Sequence, residues 1–249
     1  MFTQKYKYLP FFMWLFPLSF FTYQFILRLW PSLMMHQIMQ QFAIDATAFG
    51  LLASVYYYGY AGMQIPIAIV LDRYGARTIV FWCALVCGGG TFVFSATDSW
   101  SLALCSRFLI GAGSAVGFLA TSQVVSQWFS KEAYARMIGF SFTIGLMGAI
   151  YGGKPISLLV EHYSWQTVAF ALAAVSLSIG LCSYIFLRSP KKIDSSRTQE
   201  TLRLKDAKHL FSAPALWLLA IANLLMVGAL EGFADVWGCL LYTSPSPRD

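Results

Sequence analysis

Several ionisable side chains lie inside stretches that are otherwise apolar, and they are the residues with chemistry to do. Arg28 stands in the run 10–35, with Gln24 one helical turn before it and Tyr23 nearby. Arg107 stands in the run 100–127 and Lys154 in 136–160. Glu231 and Asp235 stand in a run that begins near Pro214. A charge at the centre of a bilayer costs about 3 kcal/mol or more on insertion scales, so such a residue normally faces a polar cavity or a partner. Arg28 and Gln24 share a helix face and could hold a phosphate or carboxylate. Alternatively Arg28 snorkels to the outer interface, since Pro31 and His36 soon follow. Arg107 is either cavity-facing or an anchor paired with Asp98 or a backbone carbonyl. Lys154 precedes Pro155, which frees a carbonyl for want of an N–H; it faces the cavity or reaches out to Glu161. Glu231 and Asp235 are one turn apart. Burial and mutual repulsion raise a carboxyl pKa, so the pair suits proton binding or an amine, unless it is simply wetted at the outer end. Tyr56, Tyr57, Tyr58 and Tyr60 cannot all line one cavity. Tyr57 is taken as the hydrogen-bonding member.

The elements that must position these groups are membrane-spanning helices. A span needs about 20 mostly apolar residues at 1.5 Å rise. The runs 10–35, 47–71, 77–97, 100–127, 136–160 and 165–187 qualify, and a seventh extends from Pro214 to about Trp237. Composition agrees: charged residues are 11% of the 249, against about a quarter in soluble domains, so the chain cannot clothe itself for water. Mean hydropathy is +0.62. The net charge of +6 is not a nucleic-acid signal, because the basic residues alternate by loop. Lys5 and Lys7, Arg73 and Arg77, Lys131 and Arg136, and the basic residues of 188–208 occupy one set; Asp45, Asp98 and Glu161 occupy the other, without Lys or Arg. The positive-inside rule then places the N-terminus and the loop after the sixth run in the cytoplasm. Thr47, Asp98, Ser130 and Ser164 are placed to cap helix starts.

Other chemistry is not encoded. Cys83 and Cys87 are one turn apart but have no His at ligand spacing, so free thiols are expected rather than a metal site. There is no Gly-x-x-x-x-Gly-Lys-Ser/Thr and no His-Glu-x-x-His. No cofactor, no metal and no enzymatic constellation are expected. In the loop 188–212, Ser196 and Gln199 form a capping box, and Leu204, Ala207 and Phe211 follow at helical spacing. A short helix on the membrane surface and a solvated linker both fit. The last residues, 239–249, have no helical character and are read as a non-native tail.

Between the second and third runs stands Ala68-Ile-Val-Leu-Asp72-Arg73-Tyr74-Gly75-Ala76-Arg77. It resembles the signature loop of the major facilitator superfamily, Gly-x-Leu-x-Asp-Arg-x-Gly-Arg-Arg. Ala68 and Ala76 depart from it. Arg107-Phe-Leu-Ile-Gly111-Ala112-Gly113 resembles the family's Arg-x-x-x-Gly-x-Gly element, and the glycines 145, 148, 152 and 153 resemble its glycine-rich fifth helix. Gly145, Gly148 and Gly152 fall on one face, as do Gly113 and Gly117, where another backbone can approach.

The resemblance implies an all-α membrane protein. Residues 1–187 would be a six-helix bundle of two three-helix repeats, 188–212 a cytoplasmic loop, and 213–238 the first helix of a second bundle. It implies a secondary transporter in a cytoplasmic membrane, moving a small anionic or zwitterionic solute by alternating access with protons as a coupling ion. Arg28, Gln24, Tyr57 and Lys154 would meet the solute, while Arg107, Glu231 and Asp235 would couple. Asp72, Arg73, Gly75 and Arg77 would form a cytoplasmic gate, through ion pairs that break and reform. A receptor that binds solute without moving it is the alternative. The expected partners are the solute and membrane lipid.

Overall fold

A computed structural model of the protein describes residues 8–188 and 214–228, without the side chains at 152, 154, 157, 161 and 227. Residues up to Thr198 form one compact unit and those from Gln199 a second. The described residues are helical with no strand. The first unit holds α1 Leu9–Leu33, α2 Met35–Phe42, α3 Ala46–Tyr74, α4 Ala76–Ala96, α5 Trp100–Ser114, α6 Val116–Trp128, α7 Lys131–His162 and α8 Trp165–Phe186. In the second unit α9 Pro214–Asn223 runs into a turn of π-helix, Leu224–Gly228. Glu231, Asp235, the Ser196–Gln199 box and the tail 239–249 lie outside the described residues. Five described helices are long and apolar enough to cross a membrane, with α5 and α6 forming a single span; a sixth results if α2 and α3, bent by 109°, are one. The all-α membrane class expected from the apolar runs is the class found. The short helix α2 was not expected.

Local chemistry starts most of these helices as anticipated, with two corrections. Ser130 and Ser164 accept from the amides of Ala133 and Thr167, each at 3.4 Å. At α3 the cap is Asp45, not Thr47: its Oδ1 accepts from Ala48 N at 2.8 Å. A carboxylate is a strong acceptor for the unpaired amides of a first turn. Asp98 does not cap α5. Its Oδ1 accepts instead from Gln41 Nε2 at 3.3 Å, and Ser99 takes the cap position without a side-chain bond.

Helix α1 is the central element, packed against α4, α5, α6, α7 and α8. Its buried face includes Phe20, Tyr23, Leu27 and Trp30, while aromatic and aliphatic side chains such as Trp82, Phe140 and Ile150 remain exposed on the outside of the bundle. That is the arrangement expected where the surroundings are lipid. At the C-terminal end of α1, Trp30 meets Phe94 edge-on at 5.4 Å and stacks on Trp165 at 6.4 Å. Gln41 of α2 closes this end. Its Nε2 donates to Thr97 O, also at 3.3 Å, and its Oε1 accepts from Gln166 Nε2 at 2.8 Å.

Glycines set the closest approaches. A Cβ at Gly145 would meet the rings of Phe21 and Phe25, and one at Gly148 would meet Thr22, so both open α7 to α1. Gly113 and Gly117 open onto different helices. Gly113 fits against Cys83 and Cys87 of α4, and Gly117 against Phe21 and Gln24 of α1. The difference follows the packing, since α5 lies against α4 and α6 against α1.

Gly75 joins α3 to α4 at φ 80°, and its N–H donates to Leu71 O at 2.8 Å. An L side chain is strained at positive φ. Gly75→Ala should therefore lower the stability of the detergent-solubilised protein by about 1 kcal/mol, read as a fall in the midpoint of denaturant unfolding; an unchanged midpoint would show that the turn relaxes freely.

Candidate functional site

The site is built around a defect in α1. Pro31 has no N–H to give to the carbonyl four residues earlier, and its ring crowds that carbonyl. The carbonyl belongs to Leu27. An orphaned carbonyl in an apolar interior costs about 1–3 kcal/mol. Arg107 of α5 supplies the missing donor: Nη1 donates to Leu27 O at 2.7 Å and Nη2 to Arg28 O at 2.8 Å. The guanidinium is 2% exposed and lies 4.5 Å over the ring of Tyr56. Arg107 thus takes backbone carbonyls, one of its two expected kinds of partner, and not Asp98. It is a deep cation bonded to backbone carbonyls. Among the described residues, no carboxylate pairs with it.

Tyr56 reaches Arg107 because two backbones touch. A Cβ on Gly111 would overlap Tyr56 O, and one on Gly59 would overlap Phe108 O. So α3 and α5 approach without side chains between them, and the glycine four residues after Arg107 brings the ring over the guanidinium. Tyr57, the tyrosine chosen from the sequence, is half-buried and meets Tyr56 edge-on at 5.7 Å. Sequence reasoning missed Tyr56 as the ring on Arg107. The signals available were Pro31, four residues beyond Leu27, and the glycine pair.

On the same turns of α1, Arg28 is half-buried with its guanidinium 5.0 Å from the centre of the Phe25 ring. Gln24 is 5% exposed, its amide packed against Gly117 of α6. Phe21, Phe25, Phe118 and Phe142 pack together beside them, with centroids 4.8–5.7 Å apart. The structure therefore brings Gln24, Arg28 and Arg107 to one stretch of α1. Lys154 lies on α7, with its side chain outside the described residues.

The expected gate has a different wiring. Arg77 Nε donates to Tyr184 O at 2.6 Å, and its guanidinium stacks 4.8 Å over the Tyr184 ring. Arg73 lies 5.5 Å over Tyr74. No ion pair joins Asp72 to either arginine among the described residues, contrary to expectation, because Arg77 at the start of α4 is engaged by the end of α8. Gln123 of α6 donates to Leu71 O at 3.3 Å, tying α6 to the last turn of α3.

The sequence matches the Major Facilitator Superfamily over residues 13–246. The chain belongs to that superfamily. Similar members include the uncharacterized transporter YybO of Bacillus subtilis, 23% identical, with 83% of this chain and 53% of the relative covered. SauU of Cupriavidus necator, named a probable sulfoacetate transporter, is 22% identical over 84% of this chain and 50% of its own length. GudP of Bacillus subtilis, named a probable galactarate/D-glucarate transporter, is 23% identical over 62% and 35%. The chain spans about half the length of the first two. Among solved structures, a bacterial homologue of the human lysosomal transporter Spinster, inward-facing and unoccupied, matches with TM-score 0.69 at 17% identity, covering 94% of this chain and 55% of that one. The chain therefore has the superfamily's fold and is a multi-pass membrane protein.

If Arg107 replaces the donor that Pro31 lacks, the two residues must be energetically coupled. In the Pro31→Ala background an amide at position 31 can serve Leu27. Arg107→Leu should then be less damaging there than in the natural background, by about 1 kcal/mol or more. Denaturant unfolding of the four proteins in detergent measures it; additive effects would show that the two side chains act separately.

Proposed function

We propose that the protein is a secondary transporter of small organic anions, working by alternating access between this half-bundle and a second. The observation that carries the reading is Arg107, a buried cation whose charge no carboxylate among the described residues balances. Backbone carbonyls and a ring face soften the burial but leave the formal charge in place. An arriving anion would gain from that field, which low-dielectric surroundings screen weakly. Arg28, on the turn that Arg107 holds, is the residue that would meet the anion. Its fork of donors suits a carboxylate or sulfonate. The names of similar proteins, among them sulfoacetate and galactarate/D-glucarate transporters, support this class of cargo.

Within this reading Arg107 is a positioning residue. It fixes the α1 turn that presents Arg28, and a change in its contacts would be felt at the solute. Coupling to protons by Arg107, with Glu231 and Asp235 on the seventh helix, belongs to the same proposal. So do solute contacts by Tyr57 and Lys154, and a cytoplasmic latch at Asp72 and Arg73. Asp72 has a place for an outside partner there, since neither arginine pairs with it among the described residues. The positive-inside pattern supports an orientation with the N-terminus in the cytoplasm of a cell whose inner membrane holds the protein.

The test is counterflow of labelled C4 dicarboxylate in proteoliposomes holding the product of the whole reading frame. The expectation is saturable exchange. Arg28→Ala should reduce it at least about tenfold, as removing a charge-assisted bond worth about 1.5–3 kcal/mol requires, with Arg28→Lys intermediate. Binding without exchange would favour a receptor, and uptake indifferent to Arg28→Ala would remove the anion anchor.

A further inference from the structure

We infer that the solute carries hydroxyl groups beside its acid, and that Gln24 is the residue that reads them. The inference rests on the anion site proposed above. Gln24 lies one turn before Arg28 on the same face of α1, a rise of about 5.4–6 Å along the axis. A solute anchored on Arg28 and lying along the helix would pass it. The carboxamide is 95% buried, at 5% exposure, and its Oε1 has no hydrogen-bond partner among the described residues. Buried polar atoms are paired in the great majority of cases, so an orphan asks for an explanation. Here the surroundings are built to keep the amide in place. Gly117 faces it from α6, and a Cβ there would press on the amide carbon at 3.2 Å and on Oε1 at 3.3 Å. The room is kept for the amide, yet none of the side chains or amides described around it bonds to that oxygen. Phe21 and Phe25 flank it on α1 and offer no donor.

An amide both donates and accepts, so its natural complement is a hydroxyl, which does the same. A solute that brought only methylenes to this point would leave the amide unpaired, and a site built around a hydrogen bond rejects the analogue that lacks it far better than an apolar pocket rejects an extra group. The expected class is therefore a small hydroxylated acid rather than a plain dicarboxylate.

Tartrate and succinate differ only in two hydroxyls and make the matched pair for the test. In proteoliposomes holding the product of the whole reading frame, tartrate should compete for uptake at least about tenfold better than succinate. Gln24→Met, similar in shape and without the amide, should collapse that preference; Gln24→Glu, which keeps an acceptor and loses the amide donors, should reduce it. Equal competition by the two acids in the natural protein overturns the inference without any variant. So does a preference that survives Gln24→Met. Arg28→Ala separates the two layers. If it abolishes competition by both acids while Gln24→Met leaves their ratio intact, the anion reading stands and the hydroxyl reading falls; if it affects neither acid, the anion site itself is wrong.

Discussion

A single exchange of hydrogen bonds organises the first unit. Proline at position 31 deprives Leu27 of its helical donor, and an arginine from another helix takes the vacancy, with nitrogen–oxygen distances of 2.7 and 2.8 Å to consecutive carbonyls. Burying a guanidinium is expensive unless its donors are used. Two carbonyls and the electron-rich face of Tyr56 offset that expense without neutralising the charge. The arrangement constrains its neighbours closely. The ring needs the backbones of α3 and α5 in contact, and that contact needs Gly59 and Gly111. Thus the proline, the arginine and the two glycines form one mechanical unit, although they lie on three helices.

The C-terminal end of α1 is a second fixed point. Trp30 sits one residue before Pro31, fully buried between Phe94 and Trp165. Gln41 spans the α4–α5 connection and the start of α8 with one amide. Stacking contacts of this kind add about 0.5–1.5 kcal/mol each beyond their buried area. Held above by the aromatic stack and at Leu27 and Arg28 by Arg107, α1 has little freedom to turn. That matters for the proposed chemistry, because Arg28 and Gln24 recognise a solute only if their shared face keeps its direction.

The helices were legible in the sequence because a bilayer permits few alternatives. About 20 apolar residues in a row, with basic residues in every second loop, leave little other than spanning helices. Arg28, Gln24 and Arg107 were legible as candidates for the same reason, since polar groups are costly there. Their wiring was less so. Arg107 was open between solvent-facing, interfacial and backbone-bonded positions, and only Pro31 pointed to the last. Tyr56 and Tyr57 differ by 100° around the helix, and composition does not say which faces α5. Gly113 and Gly117 lie one turn apart, and their spacing does not say that one meets α4 and the other α1. Asp45 displaced Thr47 as a cap because the helix begins one residue earlier than its apolar pattern does.

The same physics explains why the signature turn does not carry the charge pairing its residues suggest. Arg77 lies beside the aromatic end of α8, where a carbonyl at 2.6 Å and the Tyr184 ring satisfy it within the bundle. A guanidinium so engaged gains little from a carboxylate on the preceding helix, since that bond would be exposed and weak. Asp72 pairs with neither arginine among the described residues, while Gly75 and Gln123 hold Leu71, its neighbour in the chain, by two donors on one carbonyl. On the proposed reading, the latch at Asp72 and Arg73 works through partners outside the turn, and Arg77 stays fixed on α8.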